Sequence, residues 1–273
     1  MSTFVVDFDP SIIDFTIFGF PVSIRWYGLM YVVAYIVGIY IARYLARKKF
    51  FKVPVESIDS FVTHLLIGMV VGARIFYVFI YNWDYYINNL AEIPAVWTGG
   101  LSFHGAVIGM AVGSYIFGKK HNLKFYEVAD ALSIAGSQGL FFGRMGNFIN
   151  GELYGRVTDS PFGMIFKSGG PYPRHPSQLY EGLTEGLVLF AILFFVHKKQ
   201  KHYGLISAIF IAGYGLFRYV VEFFRQPDAQ LGYYFGGTTT MGQILCLIMI
   251  AIGVGVFFHS KKLNLPVDPA SQN

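Results

Sequence analysis

Phe141-Phe142-Gly143-Arg144-Met145-Gly146-Asn147-Phe148-Ile149-Asn150-Gly151-Glu152-Leu153-Tyr154-Gly155-Arg156 starts inside an apolar run and ends in a polar loop. Along the way Arg144, Asn147, Asn150 and Glu152 are set among glycines. Packing alone asks for no such mixture. An arginine within a bilayer costs roughly 2.5–3.5 kcal/mol on insertion scales, so a chain that keeps one beside hydrocarbon points to a ligand for it.

Working outward, the 273 residues are 54% hydrophobic and only 14% charged, with a mean hydropathy of +0.49. That is too apolar for an ordinary soluble domain and reads as an integral membrane protein. The net charge of +5 does not signal nucleic acid, because the basic residues fall in short clusters between apolar runs, as topology signals do. The single cysteine, Cys246, excludes a disulfide framework and cysteine metal sites. Its apolar surroundings mark it as a small buried hydrophobe. Residues 1–24 contain Asp7, Asp9 and Asp14 but no Lys or Arg, unlike a cleaved signal peptide, so they are read as mature sequence.

Seven apolar segments are long enough, or nearly so, to cross about 30 Å of hydrocarbon. They cover residues 24–46, 58–80, 101–118, 127–149, 181–197, 204–224 and 240–259. The expected fold is therefore an all-α polytopic membrane protein, a single transmembrane domain over 1–273. The third segment is among the shortest, and its glycines suit close helix packing.

Lysine and arginine set the expected orientation. Arg43, Arg47, Lys48, Lys49 and Lys52 follow the first segment, Lys119, Lys120 and Lys124 the third, Lys198, Lys199 and Lys201 the fifth, and Lys261 and Lys262 the seventh. The positive-inside rule assigns these alternate connections to the cytoplasm, leaving the N-terminus outside and the C-terminus inside. Residues 81–100 lack Lys and Arg but hold Tyr81, Trp83, Tyr85, Tyr86 and Trp97, aromatics that settle at headgroup level. Residues 150–179 form the longest polar stretch and are expected to make a small extracytoplasmic cap between spans four and five.

Four basic residues remain inside the spans, and all are arginines: Arg25, Arg74, Arg144 and Arg218. With this orientation each falls in the outer half of its span. Arginine's planar fork suits phosphate, and it does not shed its charge to escape desolvation. The expectation is a pocket for a phospholipid headgroup. The alternative is snorkelling to the interface or pairing with acids, and Arg218 with Glu222, four residues on, is such a pair. His104, in Leu101-Ser102-Phe103-His104-Gly105, lies level with these arginines and is a candidate for proton transfer or a structural helix-end residue. Tyr27 and Tyr214 lie close to Arg25 and Arg218, while Glu181 and Glu185 read as counter-charges for arginine.

The run Gly143-Arg144-Met145-Gly146-Asn147-Phe148-Ile149-Asn150-Gly151-Glu152-Leu153-Tyr154-Gly155 resembles the signature of bacterial prolipoprotein diacylglyceryl transferases. So do Ile24-Arg25-Trp26-Tyr27-Gly28, Gly72-Ala73-Arg74, the His104 run, Arg174-His175-Pro176-Ser177-Gln178-Leu179-Tyr180-Glu181, and Phe217-Arg218 through Glu222-Phe223-Phe224-Arg225-Gln226-Pro227-Asp228. The resemblance implies a bacterial inner-membrane enzyme that moves the diacylglyceryl group of phosphatidylglycerol onto the lipobox cysteine of a preprolipoprotein, releasing glycerol 1-phosphate. It further implies that Arg144 binds the lipid phosphate, that Asn147, Glu152 and Gly155 shape the same pocket, and that His104, Tyr27, Tyr214, Arg218 and Glu222 contribute to activity. Arg25 and Arg74 join the substrate-binding set by their depth. Ala106 departs from the family, many members having a second glycine after the histidine.

The chemistry is compatible. A free cysteine has a pKa of about 8.5, so the attacking thiol needs a base or a cationic field, and an imidazole such as His104 is the usual side chain for that proton. The departing phosphate gains charge in the transition state, which Arg218 with Arg144 would stabilise. No cofactor or metal is expected, since the acids and histidines show no ligand spacing. A transporter or flippase for anionic phospholipid is the competing class. It predicts internal repeats and charges in both halves of the bilayer, neither of which is visible. Gly136-Ser137-Gln138-Gly139 reads as a small-residue packing face rather than a serine protease motif, and the last span has no lysine for a retinal Schiff base.

Overall fold

Residues 4–17, 19–226, 233–234 and 239–268 are described in the computed structural model of the chain. Pro227 and Asp228, which end the last family motif, fall outside them. Among the described residues the chain is mostly helical. The helices are α1 (Trp26–Arg47), α2 (Ser57–Phe76), α3 (Trp83–Tyr86), α4 (Phe103–Lys120), α5 (Phe125–Ile149), α6 (Ser177–Glu181), α7 (Leu189–Val196), α8 (Leu205–Val221) and α9 (Met241–Leu263). A π-helical turn, Tyr77–Tyr81, extends α2, and a π segment, Gly182–Val188, joins α6 to α7. Each of the seven apolar segments is thus helical. Trp26–Arg47, Ser57–Tyr81, Ser177–Val196 and Met241–Leu263 are long and apolar enough to cross a membrane, while the apolar helix Leu205–Val221 is shorter.

An all-α expectation leaves no place for strands, yet the structure has them. β1 (Phe4–Val6) pairs in parallel with β4 (Met164–Phe166), β2 (Ser11–Ile17) and β3 (Phe20–Arg25) form an antiparallel hairpin, and β5 (Tyr233–Tyr234) pairs with β6 (Thr239–Thr240). Gly19, at φ 83°, supplies the left-handed residue that the tight turn of the hairpin needs.

The chain packs as two compact units, Met1–Ile41 with Leu132–Asn273, and Ala42–Ala131. In the second, Gly68 and Gly72 of α2 lie against Gly105, Gly109 and Gly113 of α4, so close that a Cβ on Gly109 would run into the Gly68 carbonyl. Small residues four apart let two backbones approach closely where lipid supplies no hydrophobic drive. At the other end of this pair, Phe51, Phe61 and Phe117 interlock, with Phe61 and Phe117 centroids 4.9 Å apart. In the first unit α8 and α9 pack through Gly253 against Ala208 and Ala212, and through Gly215 against Cys246, Met249 and Ile250. Cys246 is buried there as a small hydrophobe.

Candidate active site

The signature runs off the end of α5 into a loop whose backbone is pinned from both sides. Leu153, at φ 58°, adopts a left-handed conformation that costs a residue with a Cβ of order 1–3 kcal/mol. Its carbonyl accepts from Ser177 Oγ at 3.0 Å, and the neighbouring Glu152 carbonyl accepts from Gln178 Nε2 at 2.6 Å. Two residues on, Gly155 pairs with Arg225 across an isolated bridge and donates its N–H to the His175 carbonyl. A side chain at 155 would strike the Phe224 carbonyl and His175. The Ser177–Gln178 start of α6 is thereby locked to the signature, and α6 delivers Glu181 one turn later.

Glu181 has no exposed surface and gathers three guanidinium groups. Its Oε2 lies 2.7 Å from Arg144 Nε and 2.9 Å from Arg218 Nη1, and its Oε1 faces Arg225 Nε at 3.4 Å. Arg218 Nη2 also reaches Glu222 Oε2 at 3.1 Å, the pair expected from their spacing, and Arg225 Nη1 lies 3.9 Å from the same oxygen. Arg144 Nη1 donates to Asn147 Oδ1 at 3.2 Å, and Asn147 Nδ2 donates to Glu152 Oε1 at 2.9 Å. Arginines from α5, from α8 and from the segment after α8 therefore converge on one carboxylate. Glu222 is in turn held by Thr240 Oγ1 at 3.1 Å, the residue whose side chain caps α9. The positive end of that helix favours the acid, and Gly242 makes room for it.

Other candidates fall around this cluster or elsewhere. Tyr27 packs on Gly146 and shares a 3.0 Å hydrogen bond between hydroxyls with Tyr31. Tyr214 on α8 lies within electrostatic reach of Arg218, Arg144 and Glu185. Glu185, in the π segment, is 1% exposed, and its Oε1 has no hydrogen-bond partner among the described residues. Arg25 is exposed at the end of β3. His104 and Arg74 belong to the other unit. His104 is exposed in the first turn of α4, with Nδ1 3.2 Å from the Tyr81 hydroxyl. Arg74 is buried and donates to the carbonyls of Ile93, Gly99, Gly100 and Glu92 while lying over the Tyr86 ring. An open cleft of about 600 Å³ lies between residues 6–10, the Asn150–Gly151 turn and Lys167–Ser168. It is lined by none of the clustered arginines.

Residues 14–259 match the family described as prolipoprotein diacylglyceryl transferase. The chain belongs to that family. It is 44% identical over 234 residues to a phosphatidylglycerol–prolipoprotein diacylglyceryl transferase of Nitratidesulfovibrio vulgaris (strain DP4), covering 86% of this chain and 89% of the relative. The enzyme so described from Vibrio parahaemolyticus is 45% identical over 250 residues, covering 92% and 91%. That of Vibrio atlanticus is 46% identical over 242 residues, covering 89% and 88%.

One member of the cluster stands in the last of the prolipoprotein diacylglyceryl transferase motifs but receives no site role from the sequence. Arg225 falls beyond the sixth apolar segment and so reads as an outer-loop residue, yet it lies against both Glu181 and Glu222. The signal is present in its spacing, since a residue three beyond Glu222 and seven beyond Arg218 repeats one helical face.

Proposed function

We infer that the chain is a transferase that moves the diacylglyceryl group of phosphatidylglycerol to the lipobox cysteine of a prolipoprotein, the first step of lipoprotein maturation. The observation that carries its phosphate site is the convergence of Arg144 and Arg218 on a single oxygen of Glu181. A carboxylate shared by three guanidinium groups leaves donors that an arriving phosphodiester takes up, and a planar fork grips phosphate in two places. Sulfur of the substrate thiolate attacks the glyceryl carbon, the bond from that carbon to phosphate oxygen breaks, and the phosphate leaves as glycerol 1-phosphate. Charge grows on that oxygen as the bond breaks, so preorganised arginines favour the transition state over the ground state. Asn147 and Glu152 hold Arg144 in place, and Gly155 lets the loop close. His104, which shares a hydrogen bond with Tyr81, is assigned the thiol proton by its chemistry, and Tyr27 and Tyr214 are assigned contributions to activity.

Seven spans with the N-terminus outside accommodate this site toward the outer leaflet of the bacterial cytoplasmic membrane. Three pairings support that topology by parity, because segments that touch outside the bilayer must lie on one side of it. β1 pairs with β4 across four intervening helices of span length or near it. Gly155 bridges Arg225 across two. Tyr203 donates its N–H to the Leu265 carbonyl, again across two. Each number is even, as it must be. Residues 150–179 then form the extracytoplasmic cap, and the lysine-rich 197–203 connection shares the cytoplasmic side with residues 264–267.

The test uses purified protein in detergent with phosphatidylglycerol and a lipobox peptide. Mass spectrometry is expected to show a thioether-linked diacylglyceryl peptide together with glycerol 1-phosphate. Lipid scrambling in vesicles with no peptide modification would overturn the assignment in favour of a flippase.

A further inference from the structure

No residue of hairpin β2–β3 stands in the cluster around Glu181, yet the register of the hairpin builds a second surface. Ile13 stands opposite Ile24, Phe15 opposite Val22, and Ile17 opposite Phe20. Side chains alternate along a strand, so these six share one face while Asp14, Thr16, Pro21, Ser23 and Arg25 share the other. The apolar ladder holds no charge. Ile13, Phe15, Ile17, Phe20 and Ile24 are 55%, 38%, 46%, 74% and 45% exposed, and no described residue covers them. A soluble ribbon with this face would aggregate.

The helix into which β3 runs indicates what lies against the ladder. Trp26, the first residue of α1, comes directly after β3, and its N–H donates to the Pro10 carbonyl just ahead of β2 at 3.1 Å. The base of the hairpin is therefore fastened to the first turn of an apolar helix 22 residues long. Exposed Arg25 marks the same point on the polar face, where a long basic side chain meets lipid headgroups.

We propose that the apolar face of hairpin β2–β3 rests on the acyl chains of the outer leaflet, its polar face toward headgroups and water. The placement in that leaflet rests on the seven-span topology of the proposed function. One residue into α1, Tyr27 packs on Gly146 of the signature. Seating the hairpin in lipid thereby holds the signature at the depth from which its lipid substrate enters.

The test uses the full chain with Cys246→Ala as background and one new cysteine, at Phe15 or Phe20 on the apolar face or at Asp14 or Thr16 on the polar face. Each is labelled with a nitrobenzoxadiazole dye and reconstituted in vesicles of phosphatidylcholine and phosphatidylglycerol. Labels at 15 and 20 are expected to emit to the blue and to lose emission when the acyl chains carry nitroxide, whereas labels at 14 and 16 lose emission to iodide. Equal quenching of both faces by either agent overturns the proposal. Retained transfer activity in each variant shows that the fold is intact; Ile17→Cys replaces an apolar-face variant that fails, and Ser23→Cys a polar-face one. Labelling of Asp14→Cys on spheroplasts with a membrane-impermeant maleimide reads the leaflet separately. Acyl-chain quenching at 15 and 20 without such labelling would refute the topology and leave the insertion standing.

Discussion

Arg74 and the pair Arg144 and Arg218 are guanidinium groups of apolar helices, yet they are satisfied in opposite ways. Arg74 points its donors at four backbone carbonyls of residues 92–100. Those carbonyls have no mobile replacement, and the arginine acts as a fixed pin for a loop that has little regular structure of its own. Arg144 and Arg218 face carboxylates instead. A carboxylate offers the same planar pair of oxygens as a phosphate, so an arginine held by one is already shaped for the other. Depth in the membrane alone does not separate a pin from a binding group; the partner does.

The sharpest way to break this comparison is Arg144→Lys. It keeps the charge and removes the fork, and transfer is expected to fall by roughly 100-fold or more, read as product formed per unit time, with the protein still inserted. Near-normal turnover would place the phosphate elsewhere. Glu181→Gln comes next. It leaves three partly buried guanidinium groups short of a counter-charge, with an expected loss of about 3 kcal/mol in stability. Because phosphate substitutes for the missing anion, added phosphatidylglycerol is expected to raise the melting temperature of this variant more than that of the parent, as measured in detergent. Arg74→Lys is expected to cost about 2 kcal/mol, since a single ammonium cannot satisfy carbonyls spread over that loop. Its phosphatidylglycerol affinity is expected to stay unchanged, and a matching loss of affinity would erase the distinction drawn here.

The smallest effect concerns His175, just ahead of α6, where burial pushes the imidazole below its ordinary value of 6.5. The folded state then holds this proton more weakly than the unfolded chain. Stability is full above about pH 6.5 and is lost as pH falls below that value toward the folded one. A melting series from neutral to acidic pH is expected to show that decline, and His175→Gln is expected to flatten it by under about 1 kcal/mol.

The helices are legible in the sequence because apolar runs of membrane length carry a strong signal, and the Arg218–Glu222 pair because a four-residue spacing fixes one helical face. Glu181 is legible as a counter-charge, but not as the meeting point of three arginines, since its partners come from segments distant in sequence. The hairpin is readable in principle from Ile13-Asp14-Phe15-Thr16-Ile17 and Phe20-Pro21-Val22-Ser23-Ile24, whose alternation has period two. A reading tuned to long apolar spans passes over it. The pairing of β1 with β4 is out of reach, because three-residue strands about 160 residues apart leave no local trace.

That last pairing has a consequence for how the molecule is made. Phe4–Val6 leave the ribosome long before Met164–Phe166, which emerge only after α5 is complete. β1 must therefore wait, unpaired, for a partner delivered four span-length helices later. Closing so long a loop is entropically slow, so the segment that carries β4 and the signature loop ahead of it are among the last parts to set.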